Sequence, residues 1–401
     1  MYIEGVKISK YLNISIFILL FISAFLLLPN KVEAVPTTRT VCPDPVGSCS
    51  PSDPSYVGAP GIILAITASS DGDTVSIKNG TYSGFTTVVD STFKYFIILS
   101  KNITITGESA TDTILSGAGT DKGTMFLIDN TSNSLISNLS VTGAQKDCPG
   151  TPCSAGHGIE VYTTGSGTLN VLNVNIYSNA DTGIWSWFDG KVSVSTNKIY
   201  SNKFGVYAQG TSIFNISSSS VYTNEDGITY YDSATGTIAN NTVRNNTADG
   251  VTVRGSAIVA VNNNLIYSNT AVGLRLWETS NTTGAGNTIY SNLYTGHASG
   301  VYCTQTAVLG TWTNNNVWNN ANGNYGSSPV ELCPDKTGAN GNISVDPQSL
   351  LSSSSSSSIS LLPETSLGKD SFIPIFISFL SICLGIIFLS RHFATISKED
   401  N

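Results

Sequence analysis

Two columns of large and charged side chains are the part of this sequence best equipped for chemistry. A Gly-Ile/Val pair, or a close variant, recurs at Gly158, Gly183, Gly205, Gly227, Gly250, Gly273 and Gly300. If each pair opens a β-strand, the second residue after Gly faces outward, because side chains alternate across a strand. That column reads Glu160, Trp185, Tyr207, Thr229, Thr252, Arg275 and Tyr302. The fourth residue after Gly gives Tyr162, Trp187, Gln209, Tyr231, Arg254, Trp277 and Thr304. Large aromatic faces on a solvated sheet are costly unless something covers them. A sugar ring can stack on such a face through its apolar C–H side, leaving its hydroxyls for Arg, Glu and Gln. Trp185, Trp187, Tyr207, Tyr231, Trp277 and Glu160 are therefore the candidate ligand-binding residues, with extracellular polysaccharide as partner. The opposing reading has the rings stacking on one another between strands or lying under a loop.

Catalytic candidates are fewer. A lyase acting on uronates needs a base and positive charge to neutralise the substrate carboxylate, and Arg254 and Arg275 on neighbouring repeats could supply both. Asp181, Asp226 and Asp249 precede the same strands, where oxygen ligands could hold Ca2+. Asp-Gly is equally ordinary turn chemistry, so no cofactor is required. The reading leans towards a protein without catalysis. Zinc is disfavoured because no Cys-x-x-Cys occurs and only His157 and His297 lie between the two hydrophobic segments. The formal net charge is −8 and no basic cluster stands out, which excludes nucleic acid as a partner.

These residues are positioned by a repeat. Its form is Asn-x-Ile/Val-Tyr-Ser-Asn, a short spacer, then Gly-Ile/Val, with steps of 22 or 23 residues through the middle. Apolar residues alternate at period two, as in Val251-Thr252-Val253, which signals strands. Charged residues make up only 11% of the chain, well below the usual quarter or so. Gly, Ser, Thr and Asn replace them, a mixture suited to short strands and tight turns. A 22-residue unit with several strands fits one coil of a parallel β-solenoid, each coil burying its core only when stacked on its neighbours. Asn179, Asn202, Asn224, Asn246, Asn269, Asn292 and Asn320 then stack at successive bends and satisfy one another's amides. Tyr177, Tyr200, Tyr222, Tyr267 and Tyr290 form a second column, expected to stack ring on ring. A leucine-rich-repeat frame and a six-residue left-handed beat are both absent.

The repeat, with Asp71-Gly72-Asp73-Thr74-Val75, Asn79-Gly80-Thr81-Tyr82 and the early coils around Ile103 and Leu139, resembles the right-handed parallel β-helix, pectin-lyase-like family. The resemblance covers about 60 to 345 and implies an all-β fold, a right-handed parallel β-helix. It implies a capping helix over Gly61–Ser69 and an exit segment at Asn342–Pro347. It also implies that the outward sheet serves as a polysaccharide groove. Function stays open, since this superfold hosts lyases, hydrolases, esterases and plain adhesins. Gly156-His157-Gly158 matches one short polygalacturonase motif, but the Asn-Thr-Asp, Asp-Asp and Arg-Ile-Lys motifs are missing, and pectate lyase signatures are absent too.

The termini read as export and anchoring. Residues 1–34 carry Lys7 and Lys10, an apolar run and Val32-Glu33-Ala34, as a signal peptide does. A Cys/Pro-rich segment (35–60) precedes the β-helix (61–350). A Ser-rich stalk (351–370) follows, then a transmembrane helix (371–390) and a cytoplasmic tail (391–401) with Arg391, His392 and Lys398. Leu362-Pro363-Glu364-Thr365 resembles a sortase sorting signal cleaved after Thr365, though Ser366 stands where that signal has Gly. Cys42, Cys49, Cys148, Cys153, Cys303 and Cys333 fit an oxidising compartment. Spacing leaves their connectivity open; nearest-neighbour pairing gives Cys42–Cys49, Cys148–Cys153 and Cys303–Cys333. Asn-x-Ser/Thr sequons, as at Asn79, Asn240 and Asn281, would be modified in a glycosylating host. The expectation is a single-pass cell-surface protein that binds extracellular polysaccharide. The alternatives are a polysaccharide lyase or hydrolase, or a structural spacer or adhesin.

Overall fold

The computed structural model describes residues 35–44, 49–90, 93–119, 121–129, 133–146, 156–328 and 333–353. Within them the chain winds through three sheets, of eleven, ten and eleven strands. One coil illustrates the pattern. Lys191–Ser195 lies in the first sheet, Lys198–Tyr200 in the second and Phe204–Ala208 in the third. Each pairs in parallel with its counterpart in the next coil. Inward Val and Ile residues such as Val192, Val194, Ile199 and Val206 form the core, and outward residues stay half-exposed or exposed.

The corners explain the sequence motif. Between the first and second strands Thr196 takes φ 56°, and between the second and third Ser201 takes φ 56°. One left-handed residue turns the chain sharply, and the next residue, Asn197 or Asn202, points inward. Asn is enriched at this inward position because its amide carries both a donor and an acceptor for buried groups of the neighbouring coils. The Asn224 Oδ1 accepts from Asn202 N at 3.0 Å and Nδ2 at 3.2 Å, and Asn246 Oδ1 does the same for Asn224. The ladder continues through Asn269, Asn292 and Asn320 as expected. A second ladder stands at the other corner, from Asn197 through Ser219 to Asn241, Asn264, Asn287, Asn315 and Asn342. The leading Asn of the repeat motif was its signal. The repeat glycine is required by close approach: a Cβ on Gly205 would lie 2.5 Å from the Gly227 carbonyl and 2.9 Å from Asn224 Nδ2.

Both ends of the stack are closed. Helix α1 spans Gly58–Ala68 and buries Ala59, Ile62, Ala65 and Ile66. It starts three residues before the expected Gly61 because Pro60 sits in the first turn, where its missing N–H has no intrahelical partner to lose. Lys101 Nζ donates to the carbonyls of Ile66, Thr67 and Ser69 at 3.2, 2.7 and 2.8 Å, capping the negative end of α1. Segment 35–60 is not separate from the coils, since Thr38–Val41 pairs with Thr74–Ile77. Its Arg39 meets Asp73 at 2.6 Å. At the far end Trp312 is 2% exposed and donates from Nε1 to Tyr325 Oη at 3.1 Å. Disulfides join Cys42 to Cys49 and Cys303 to Cys333. The coils through Pro347 are one compact unit, and residues from Gln348 on belong to another; the short helix α2 spans Pro347–Ser353.

Among the described residues no helix is long and apolar enough to cross a membrane. The expected signal peptide, the Cys148–Cys153 pair, most of the stalk with Thr365, the 371–390 span and the tail all lie outside the described residues.

Candidate functional site

The third sheet carries both sequence-predicted columns in register. Glu160, Trp185, Tyr207, Thr229, Thr252, Arg275 and Tyr302 pair coil to coil. Backbone bonds such as Trp187 N to Val161 O and Tyr231 N to Ala208 O align the other column. Outward does not mean open, however. Glu160 and Tyr302 are each 5% exposed. Tyr302 is covered because the step from Gly273 to Gly300 is longer than the others, and its extra chain folds back. His297 stacks on Tyr302 with centroids 3.3 Å apart, and Tyr294 packs beside them.

The predicted residues separate into three groups. The first surrounds a surface cleft of about 240 Å3 lined by His157, Asp181, Thr182, Trp185, Phe204, Tyr207 and Gln209. Trp185 lies 4.7 Å from His157 and 5.4 Å from Trp187, centroid to centroid, with tilted planes. Trp187 continues into Tyr162 and Phe188. Such tilted rings cannot cover one another's faces as parallel rings do. The second-sheet tyrosines are the contrast: Tyr177, Tyr200 and Tyr222 stack at 4.9 Å with planes 5° and 7° apart, and Arg244 covers Tyr222 at 4.9 Å. The Nε1 atoms of Trp185, Trp187 and Trp277 are buried donors without a hydrogen-bond partner.

The second group is Tyr231, Arg254 and Trp277, which stand on consecutive coils. Arg254 is held between the two rings, 4.9 Å and 5.1 Å from their centroids, so these aromatics serve its guanidinium. Its Nε also meets Glu278 Oε1 at 3.0 Å, which raises the Arg254 pKa. Arg275 is paired with Asp249 at 2.6 Å. Both arginines are therefore committed to carboxylates on their own face of the sheet.

The third group is acidic. Burial pushes Glu160 up to about 8, and only a 3.4 Å bond from Tyr95 Oη opposes it. Its second oxygen is buried and unpartnered. Burial likewise raises Asp226 to about 6, and its Oδ1 accepts from Asp249 N at 3.1 Å. The calcium candidates are not gathered: Asp181 pairs with Lys146 at 2.7 Å, and Asp249 with Arg275. Among the described residues no group of three or more His, Cys, Asp or Glu could hold a metal ion. A larger cleft of about 290 Å3, at Gly84–Thr86, Phe96 and Ser116–Gly119, has Asp121 as its one ionisable lining residue.

The comparisons agree with this architecture. Residues 124–293 match the family described as right handed beta helix region. Over those residues the chain carries the repeat of that family, wound as the parallel β-helix described above. Among solved structures it is similar to tailspike protein 2 from Escherichia coli O157:H7 bacteriophage CAB120, at 14% identity and TM-score 0.52, over 74% of this chain and 42% of that one. It is also similar to pectate lyase Pel9A, at 15% identity and TM-score 0.46, over 71% and 80%. The Azotobacter vinelandii mannuronan C-5 epimerase AlgE4 A-module aligns at 13% identity and TM-score 0.44, over 75% and 90%. At 14% identity the likeness to the tailspike is one of fold alone. No curated protein matches the chain.

Sequence reasoning found Trp185, Trp187 and Tyr207 but passed over His157 and Phe204 as cleft residues. His157 was visible only as a motif match. Phe204 precedes its repeat glycine, a position the register count skips, and pairs with Thr182 and Asp226.

Proposed function

We propose that this β-helix binds polysaccharide along its third sheet, centred on the cleft at Trp185, Phe204 and Tyr207. The carrying observation is the tilted cluster of His157, Trp185 and Trp187, whose indole N–H groups lack protein acceptors. Rings presented at an angle leave apolar faces against which sugar C–H groups can pack. Gln209 and Thr182 add polar groups at the rim. In this proposal the protein is exported, and the 371–390 segment holds it at the cell surface with Thr365 as a potential sortase substrate. The double substitution Trp185→Ala, Trp187→Ala should remove glycan retention in affinity electrophoresis while leaving the far-UV spectrum of the coils intact. Unchanged retention would refute the reading.

One observation favours a polysaccharide-processing enzyme as the second reading. Glu160, protonated near neutrality and carrying a buried unpartnered oxygen, is chemically suited to act as a general acid beside Trp185. Polymer shortening by the chain, lost in Glu160→Gln, would establish this reading over simple binding.

A further inference from the structure

We infer that the glycan taken by the third sheet is electrically neutral and not a polyuronate, a refinement that rests on the binding function proposed above. A polyuronate brings one carboxylate per sugar. A surface that holds it must offer uncommitted cations, or a metal ion bridging the two sets of carboxylates. Among the described residues of the third-sheet columns the arginines offer neither, and exposed Lys203, beside Phe204, is a lone cation at the edge of the cleft. Arg254 is tied to Glu278, Arg275 to Asp249 and Lys146 to Asp181, at 3.0, 2.6 and 2.7 Å. Lys203 lies over the Phe204 ring, 5.1 Å from its centroid.

The acids outnumber these cations. Asp181 itself lines the cleft, and Asp226 and Asp232 stand close enough to Tyr207 to oppose ionisation of its phenol, with Arg254 as the counterweight. An incoming carboxylate in the cleft would thus meet the Asp181 carboxylate, against which Lys203 beside Phe204 is the one opposing charge not tied to a carboxylate among those named. A Debye length of about 8 Å leaves such near contacts unscreened. The carboxylates that might recruit a bridging cation are already bound to Lys146, Arg275 and a backbone N–H. What remains for recognition is neutral: tilted indole faces, the Gln209 amide and hydroxyl groups. These fit the C–H faces and hydroxyls of hexose polymers.

The test is retention of the purified full chain in affinity gels containing a neutral β-glucan, a neutral galactan, sodium alginate or polygalacturonate. Each gel is run at low and high salt, with and without calcium. The expected result is retention by at least one neutral polymer, insensitive to salt and at least tenfold tighter than by either polyuronate. Tighter polyuronate retention, with or without calcium, would overturn the inference and leave the binding function standing. Retention by none of the polymers would overturn the binding function and this inference with it. Glu278→Gln provides the second arm. Releasing Arg254 from its carboxylate should raise polyuronate retention several-fold in a salt-sensitive way while neutral retention holds. Unchanged polyuronate retention in that variant would overturn the inference as well.

Discussion

Replacing Glu160 by Gln should flatten the pH dependence of stability above neutrality. The ordinary glutamate value is 4.5, and burial raises that of Glu160 to about 8 in the folded chain. Between those values the folded state holds a proton that the unfolded state has released, so stability falls as pH rises. The contribution is complete below pH 4.5 and gone above about pH 8. Its full span is on the order of 5 kcal/mol, taking roughly 1.4 kcal/mol per pK unit. Between pH 6.5 and 8.5 the expected loss is about 2 kcal/mol. Asp226, at about 6, and His297, lowered from 6.5 by burial, titrate below that window. Gln matches the shape of the protonated acid and can still accept from Tyr95. The assay is the urea midpoint of the far-UV signal at several pH values for parent and Glu160→Gln. The parent should weaken by about 2 kcal/mol across the window and the variant by less than half of that. Equal slopes would refute the assignment of a neutral, buried Glu160.

Two further changes probe the coil architecture. Asn246→Ala removes the acceptor of Asn224 N and Nδ2 and the donor to Asn269. Stranding these buried groups should cost about 3 kcal/mol in urea unfolding, and a loss below 1 kcal/mol would contradict the ladder's role. Lys101→Ala uncaps α1 by removing three bonds to its last carbonyls. About 1 kcal/mol should be lost, with faster hydrogen exchange confined to residues 58–69; exchange unchanged there would contradict the capping role.

The coils were legible in the sequence because a solenoid stacks equivalent residues on one another, so a constraint met once is met every 22 or 23 residues. The αL corner followed by an inward Asn, and the glycine that lets the Gly227 carbonyl approach within a methyl's width, recur for that reason. Orientation was legible as well, since alternation along the third-sheet strands puts Trp185 and Trp187 on the outer face. Coverage was not. Whether an outward residue meets solvent depends on departures from the repeat, as where the Tyr294–His297 loop lies over Tyr302. Ion pairing was hidden for a related reason. Glu278 turns out at φ 63° one residue after Trp277, beside the arginine of the preceding coil. A strand count assigns that corner residue no direction, so Arg254 read as a free cation.

The most direct test of glycan binding on the third sheet is a crystal structure of the chain soaked with an oligosaccharide cut from whichever polymer it retains. The account predicts a sugar ring against Trp185, within the cleft lined by His157, Phe204, Tyr207 and Gln209. A sugar seated instead at Gly84–Gly119, or along the stacked tyrosines of the second sheet, would contradict it.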